Sequence, residues 1–293
     1  MVLAAAALAA PHAVRHVVAT ATRAPTGAAS AEAPAYLSLG DSLAAGSQPD
    51  EKGEDGPTDQ GYADAIGRRL AKVHPGLRTI RLSCGGARTS TLIQGGAGCQ
   101  PKGEPSQLVR AERYLARHSD VPLVTVDIGD NDVEGCISVL PPAVDARCVQ
   151  AGRERIGRNL PLIARRLKAA AGPHTQVIGI TDYNQFLALW NDGPAGRAVA
   201  RRSVGIIGSL NSLMRDIYRR EGIKVAEAGR MFASEDLTTM RTVPGMGRVP
   251  LAVERICRWT WACSDPPIGH DDHAKPAGYG VIAQAVLDQM SSR

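Results

Sequence analysis

Short apolar runs alternate along the chain with longer segments in which apolar residues return every three or four positions. Residues 36–39, 77–82, 122–128, 176–180 and 223–226 have the length and aliphatic content of buried strands, 122–128 most clearly. Residues 61–73, 106–118, 149–171, 198–220 and 277–290 carry helical spacing, and Gly172-Pro173 ends the third of these. Strands alternating with helices of this length predict a mostly parallel sheet covered on both faces. Ligands of such sheets bind at the carboxyl ends of the strands. Residues just after each strand are therefore the ones to examine for chemistry. Residues 231–270 show little periodicity and many turn residues, and are expected to form an elaborated loop region on the same domain.

A chain of 293 residues suits one large α/β domain. Aromatics are scarce at 4%, with two Phe, so the core must be built from Ala, Val, Leu and Ile. The first residues change the picture. Val2 to Ala10 is an Ala-rich apolar run too short to span a bilayer, followed by small and polar residues. This is the apolar and cleavage pattern of a signal peptide without its basic start. Residues 1–33 are accordingly read as a leader, signal-peptide-like or disordered, and 34–293 as the single folded domain. No other stretch is long and apolar enough for stable membrane insertion.

The formal charge is +5. Its basic pairs, Arg68–Arg69, Arg165–Arg166, Arg201–Arg202 and Arg219–Arg220, are scattered over expected helices and not gathered into one stripe. That distribution argues for solvated helix faces and against a nucleic-acid partner.

Six cysteines fall as Cys84/Cys99, Cys136/Cys148 and Cys257/Cys263, with no C-x-x-C among them. Six cysteines allow 15 pairings. Pairing neighbours is the simplest of these, and a loop of the 84–99 size would be worth about 3 kcal/mol on the chain-entropy model. An even set of this kind points to an oxidising compartment and hence to secretion.

Four blocks carry candidate chemistry. Gly40-Asp41-Ser42-Leu43 follows the first strand, where a serine at a strand-to-helix turn exposes its hydroxyl beside its own N–H. Taken alone, the same residues read more simply as an Asp-Ser helix cap, since Asp-Ser turns are common. Ser83-Cys84-Gly85-Gly86 follows the second strand, and Gly86 there is either an amide donor or simply a turn. Gly129-Asp130-Asn131-Asp132 follows the third, where the Asn131 amide is either an oxyanion donor or part of an Asx-turn. Near the C-terminus, His270-Asp271-Asp272-His273 offers a base with an adjacent acid. A metal reading of that cluster is disfavoured because nothing else along the chain offers an obvious third and fourth ligand.

Together the blocks resemble the SGNH (GDSL-type) hydrolase family, in the branch of secreted actinobacterial esterases and lipases. The resemblance rests on Gly-Asp-Ser-Leu-Ala-Ala-Gly at 40–46, Asp-Ile-Gly-x-Asn-Asp at 127–132, Ile-Cys-x-Trp-Thr-Trp-x-Cys at 256–263 and Asp-x-His-Ala…Ala-Gly-Tyr at 271–279. It implies a flavodoxin-like three-layer α/β/α sandwich. It makes Ser42 the nucleophile and His273 the base, with the Ser42 and Gly86 amides and the Asn131 side chain as the oxyanion hole. The family acid often precedes the histidine by two or three residues. Position 270 is His, so Asp271 is the expected acid and Asp272 its fallback. The local cysteine pairs also fit this branch. No Gly-x-Ser-x-Gly elbow of an ordinary α/β-hydrolase occurs.

The implied activity is hydrolysis of a small-molecule or lipid ester by a monomer that needs no metal and no cofactor. An O-acetyl-glycan deacetylase shares all four blocks. A non-catalytic glycan- or surface-binding protein on the same scaffold would not need to keep all of Ser42, Gly86, Asn131 and His273. The acyl pocket is expected in the loops around 88–104, 183–195 and 231–269. Phe186 and Trp190 are candidate walls, while Trp259 and Trp261 are expected to pack over the Cys257/Cys263 loop.

Overall fold

The computed structural model describes Met1 and residues 33–96 and 103–290. The rest of the expected leader and Cys99 lie outside the described residues. Five strands form the central sheet: β1 (Ala35–Gly40), β2 (Arg78–Arg81), β3 (Leu123–Asp127), β4 (Gln176–Thr181) and β5 (Lys224–Glu227). They lie in the order β2-β1-β3-β4-β5, every pairing parallel, which is the flavodoxin-like doubly wound order. Gly40 pairs with Asp127, and Asp127 with Ile180, so the carboxyl ends of the three central strands are level.

Because side chains alternate along a strand, each strand contributes to two cores. Leu37, Leu39, Val124 and Val126 pack with Leu108, Leu160 and Met214 from the helices Gln107–Leu115, Ala146–Ala170 and Gly193–Arg220. On the opposite face, Tyr36, Leu123, Ile178 and Ile180 pack with Ile66, Tyr279 and Ile282 from the helices Tyr62–Leu70 and Pro276–Leu287. Both faces are thus sealed, as an all-parallel sheet requires.

Two helices start earlier than their apolar spacing predicts, and the causes are local. Asp145 caps the helix Ala146–Ala170 by accepting the Arg147 and Cys148 N–H groups at 2.9 and 3.0 Å. Pro194 sits in the first turn of Gly193–Arg220, where its missing N–H costs nothing. Two of the basic pairs enter ion pairs: Arg166 holds both oxygens of Glu112 at 2.7 and 2.6 Å, Arg165 pairs with Glu221, and Arg219 with Glu227.

The expectation of a loop over 231–270 requires correction. This segment contains a hairpin, Met240–Val243 with Gly247–Pro250, and a helix, Leu251–Trp259. Only Ala252, Val253 and Ile256 of that helix are buried, a short apolar stripe that local composition obscures.

Cys136–Cys148 and Cys257–Cys263 are bridged as local pairs. Cys84 is also in a disulfide, and Cys99, its expected partner, lies outside the described residues. Trp259 meets Phe232 edge-on at 5.1 Å with Arg255 above it, and Lys275 lies over Trp261 at 5.2 Å. Trp190 is covered by Arg201 at 4.6 Å.

Candidate active site

At the end of β1 the chain turns sharply. Gly40 has φ +144°, and a Cβ there would meet the Asp127 carbonyl oxygen at 2.0 Å, so only glycine fits. The Gln107 side chain clamps this glycine, its Oε1 accepting the Gly40 N–H at 2.9 Å and its Nε2 donating to the Gly40 carbonyl at 2.8 Å. Asp41 then caps the one-turn helix Ser42–Ala45 by accepting the Leu43 N–H at 3.1 Å. The cap and the exposed-serine readings of this block are therefore compatible. Ser42 occupies the first helical position, where a backbone N–H has no intrahelical partner.

The loop after β2 brings Gly86 in with φ +69° and open space where a side chain would be. The turn after β3 carries Asn131 in the short 3₁₀ helix Asp130–Asp132. The loop before the last helix carries His273. Ser42, Gly86, Asn131 and His273, remote in sequence, line one cleft of about 860 Å³ at the carboxyl ends of the strands. All four sequence candidates are thus brought together.

Asp271 lies directly behind His273. Both of its carboxylate oxygens are 3.1 Å from His273 Nδ1, and Oδ1 also accepts the His273 N–H at 2.9 Å. Asp272, the fallback, stands at 3.7 Å from the same nitrogen, and the Tyr183 hydroxyl donates to its backbone carbonyl at 2.7 Å. Asp271 is therefore the better placed of the two. Burial disfavours a charged His273, but the bond from Asp271 and the charges of Asp272, Asp271 and Asp55 outweigh it and push the imidazole up to about 9. Burial alone would raise Asp271, yet the bonds from His273 and Asp55 bring it below the usual carboxylate range. With Nδ1 engaged, Nε2 is the nitrogen left for chemistry in the cleft. No hydrogen bond joins Ser42 Oγ to His273 among the described residues; such contacts often tighten only in the substrate complex.

The cleft is rich in acids: Asp41, Asp55, Asp130, Glu134, Asp182 and Asp272 line it, against Arg81 and Arg110. Burial pushes Asp41 and Glu134 up to about 7, and burial with repulsion from neighbouring carboxylates holds Asp130 and Asp182 well above the usual range.

The fold also brings further carboxylates to the histidine cluster. Asp55 joins Asp271 and His273, and Asp130 and Glu134 join Asp272, each set with ligand atoms within 4.8 Å of one another. These donors come from distant loops that no local spacing connects. Asp55 is likewise a second carboxylate near the base, its Oδ1 3.5 Å from His273 Nδ1. It arrives on a hairpin, Ser47–Pro49 with Asp55–Pro57, that has no apolar alternation to announce it.

Residues 38–244 match the GDSL-like lipase/acylhydrolase family, more than half of the chain. A comparison with curated proteins finds no match. Among solved structures, an extracellular lipase from Streptomyces rimosus has a TM-score of 0.56 at 19% identity, covering 88% of this chain and 100% of its own. A phospholipase A1 from Streptomyces albidoflavus NA297 has 0.54 at 18%, covering 88% and 99%. An acetyl-xylooligosaccharide esterase, Axe2 of a Geobacillus, has 0.52 at 15%, covering 89% and 95%. These likenesses are of fold. The chain belongs to the GDSL-like lipase/acylhydrolase family, and so to the carboxylic ester hydrolases.

Proposed function

We propose that this protein is a secreted serine esterase or lipase that works through an acyl-enzyme on Ser42. The observation that carries the reading is the pairing of His273 Nδ1 with both oxygens of Asp271 in the cleft that also holds Ser42, Gly86 and Asn131. Such a pair fixes the tautomer that leaves Nε2 as the proton acceptor. In the first step Ser42 Oγ bonds to the ester carbonyl carbon while Nε2 takes the serine proton. The carbonyl oxygen becomes an oxyanion facing the Ser42 and Gly86 amides and the Asn131 side chain. The tetrahedral adduct collapses, the alkoxide leaves with the proton from His273, and the acyl group stays on Ser42. Water repeats the sequence through His273 and releases the acid.

Two features bear on location. The paired cysteines and the leader-like start together favour an oxidising, extracellular setting. No helix among the described residues is long and apolar enough to cross a membrane.

The decisive experiment treats purified protein with a fluorophosphonate and follows p-nitrophenyl acetate hydrolysis. Label on Ser42 with loss of turnover is expected, and Ser42→Ala should abolish both while keeping the circular dichroism spectrum. Turnover retained by pure Ser42→Ala protein would remove Ser42 from the mechanism. The carboxyl-rich lining of the cleft favours a second reading, deacetylation of O-acetylated glycans. Acetate release from acetylated xylan, faster than from any simple acyl ester, would select it.

A further inference from the structure

Beside the cleft lies a second cavity of about 380 Å³ with a different character. Its walls include Ile137, Val139, Leu140, Phe186, Leu189 and Ala262. The two cavities share Glu134, Gln185 and Asp272, so the apolar groove adjoins the cleft that holds Ser42 and His273. One wall is the hairpin Ile137–Val139 with Pro142–Val144, whose base is tied to the following helix by Cys136–Cys148. At its tip Leu140 is 87% exposed and Val139 40%, while Phe186 and Leu189 on the opposite wall are buried.

We propose that this groove is the acyl-chain site, so that the preferred substrates are esters of extended aliphatic acids. The proposal rests on the ester-hydrolase reading above. Adjacency decides the occupant. An acyl group attached at Ser42 has its carbonyl in the cleft, and its chain leaves towards whichever wall is apolar. The groove supplies that wall, and a chain lying in it covers Val139 and Leu140, which otherwise present apolar surface to water. The disulfide holds the hairpin in place, so the wall exists before substrate arrives. An acetyl group is too short to reach it and gains nothing from it.

The test compares p-nitrophenyl esters from acetate to decanoate. Each methylene that enters the groove should raise kcat/KM about fourfold, until the groove is filled. Ser138→Trp, an exposed groove position, should flatten this slope by narrowing the mouth. Val139→Ser with Leu140→Ser should flatten it by removing the exposed wall. Both variants should hydrolyse acetate as the parent does. Equal kcat/KM for acetate and octanoate in the parent, or an unchanged slope in both variants, overturns the groove assignment. A binding arm separates this failure from failure of the catalytic reading. Ser42→Ala protein should bind 1-decanol by calorimetry, and Ser138→Trp in that background should abolish the heat. Absence of decanol binding overturns the groove even if acetate is turned over. Binding without any turnover or fluorophosphonate label leaves the groove standing and sinks the serine mechanism.

Discussion

Asp132 holds Thr89 with both carboxylate oxygens: Oδ2 accepts the Thr89 N–H at 2.8 Å and Oδ1 accepts its hydroxyl at 3.1 Å. Thr89 lies three residues after Gly86 and Asp132 directly follows Asn131, so this contact joins the two loops that would form the oxyanion hole. Arg155 completes it, donating to Asp132 Oδ1 at 3.3 Å and to its backbone carbonyl at 2.6 Å. The Asp132 side chain is wholly buried, while that of Arg155 is about a third exposed. Removing one partner of a buried charged network typically costs about 3–5 kcal/mol. Asp132→Ala should therefore lower stability by about that amount, read from urea unfolding, and reduce kcat at temperatures where it is still folded. A variant with unchanged midpoint and kcat would show that the two loops do not depend on this contact.

The charge state of His273 sets the pH dependence. A general base must be neutral to act, and this imidazole is pushed up to about 9. The kcat/KM profile should accordingly rise with pH to a limb near 9. Asp271→Asn should move that limb to lower pH, because it removes the bond that does most to raise it. The stability sign is the reverse of the activity sign. A histidine raised above its unfolded value stabilises fully below about 6.5, and that contribution is lost as pH climbs through about 9. Thermal melts from pH 6 to 10 should show wild type losing stability across that window and His273→Gln losing less. A limb near 6.5 in wild type would mean that the surrounding carboxylates do not control the base.

Asp55 gives the base a second acid, and this predicts an unusual mutational pattern. In a serine protease, amide replacement of the orienting aspartate costs about 10⁴ in kcat. Here Asp271→Asn should cost clearly less, because Asp55 Oδ1 lies 3.5 Å from the same nitrogen. Asp55→Asn alone should have a small effect, and the double variant should approach the full loss. The coupling is read from a double-mutant cycle on kcat. Additive effects in that cycle would remove Asp55 from any role at the base.

What can be read from the chain divides along physical lines. The five strands and the long helices are legible because each buries a regular apolar face; Ser42, Gly86, Asn131 and His273 stand in short blocks that are ambiguous singly, and only the family resemblance of the blocks together picks them out. Asp55, Gln107 and Glu134 are not legible, since their relation to the site exists only after distant loops meet. The Gln107 clamp on Gly40 spans 67 residues and leaves no local trace. The helix Leu251–Trp259 is hidden for a different reason: its buried stripe is three residues, too few to mark a period. The hairpin at 137–144 escapes because its exposed Val139 and Leu140 are apolar on the wrong side for a simple solvated turn. That departure is what makes it informative about substrate.

Asn131 offers the cleanest test of transition-state stabilisation, because its turn is held by its neighbours and not by its own side chain. Asp130 Oδ2 accepts from Gln185 Nε2 at 2.9 Å on one side, and Asp132 is anchored to Thr89 and Arg155 on the other. Asn131→Ala should therefore leave the fold intact and KM close to the parent value. If its amide donates to the developing oxyanion, kcat should fall by about 10²–10³. Fluorophosphonate labelling of Ser42 should slow as well, since the phosphorus centre also develops an oxyanion there. Stopped-flow turnover of p-nitrophenyl butyrate together with timed labelling reads both effects. An unchanged kcat would leave the oxyanion to the Ser42 and Gly86 amides alone, and a raised KM at constant kcat would make Asn131 a binding contact instead.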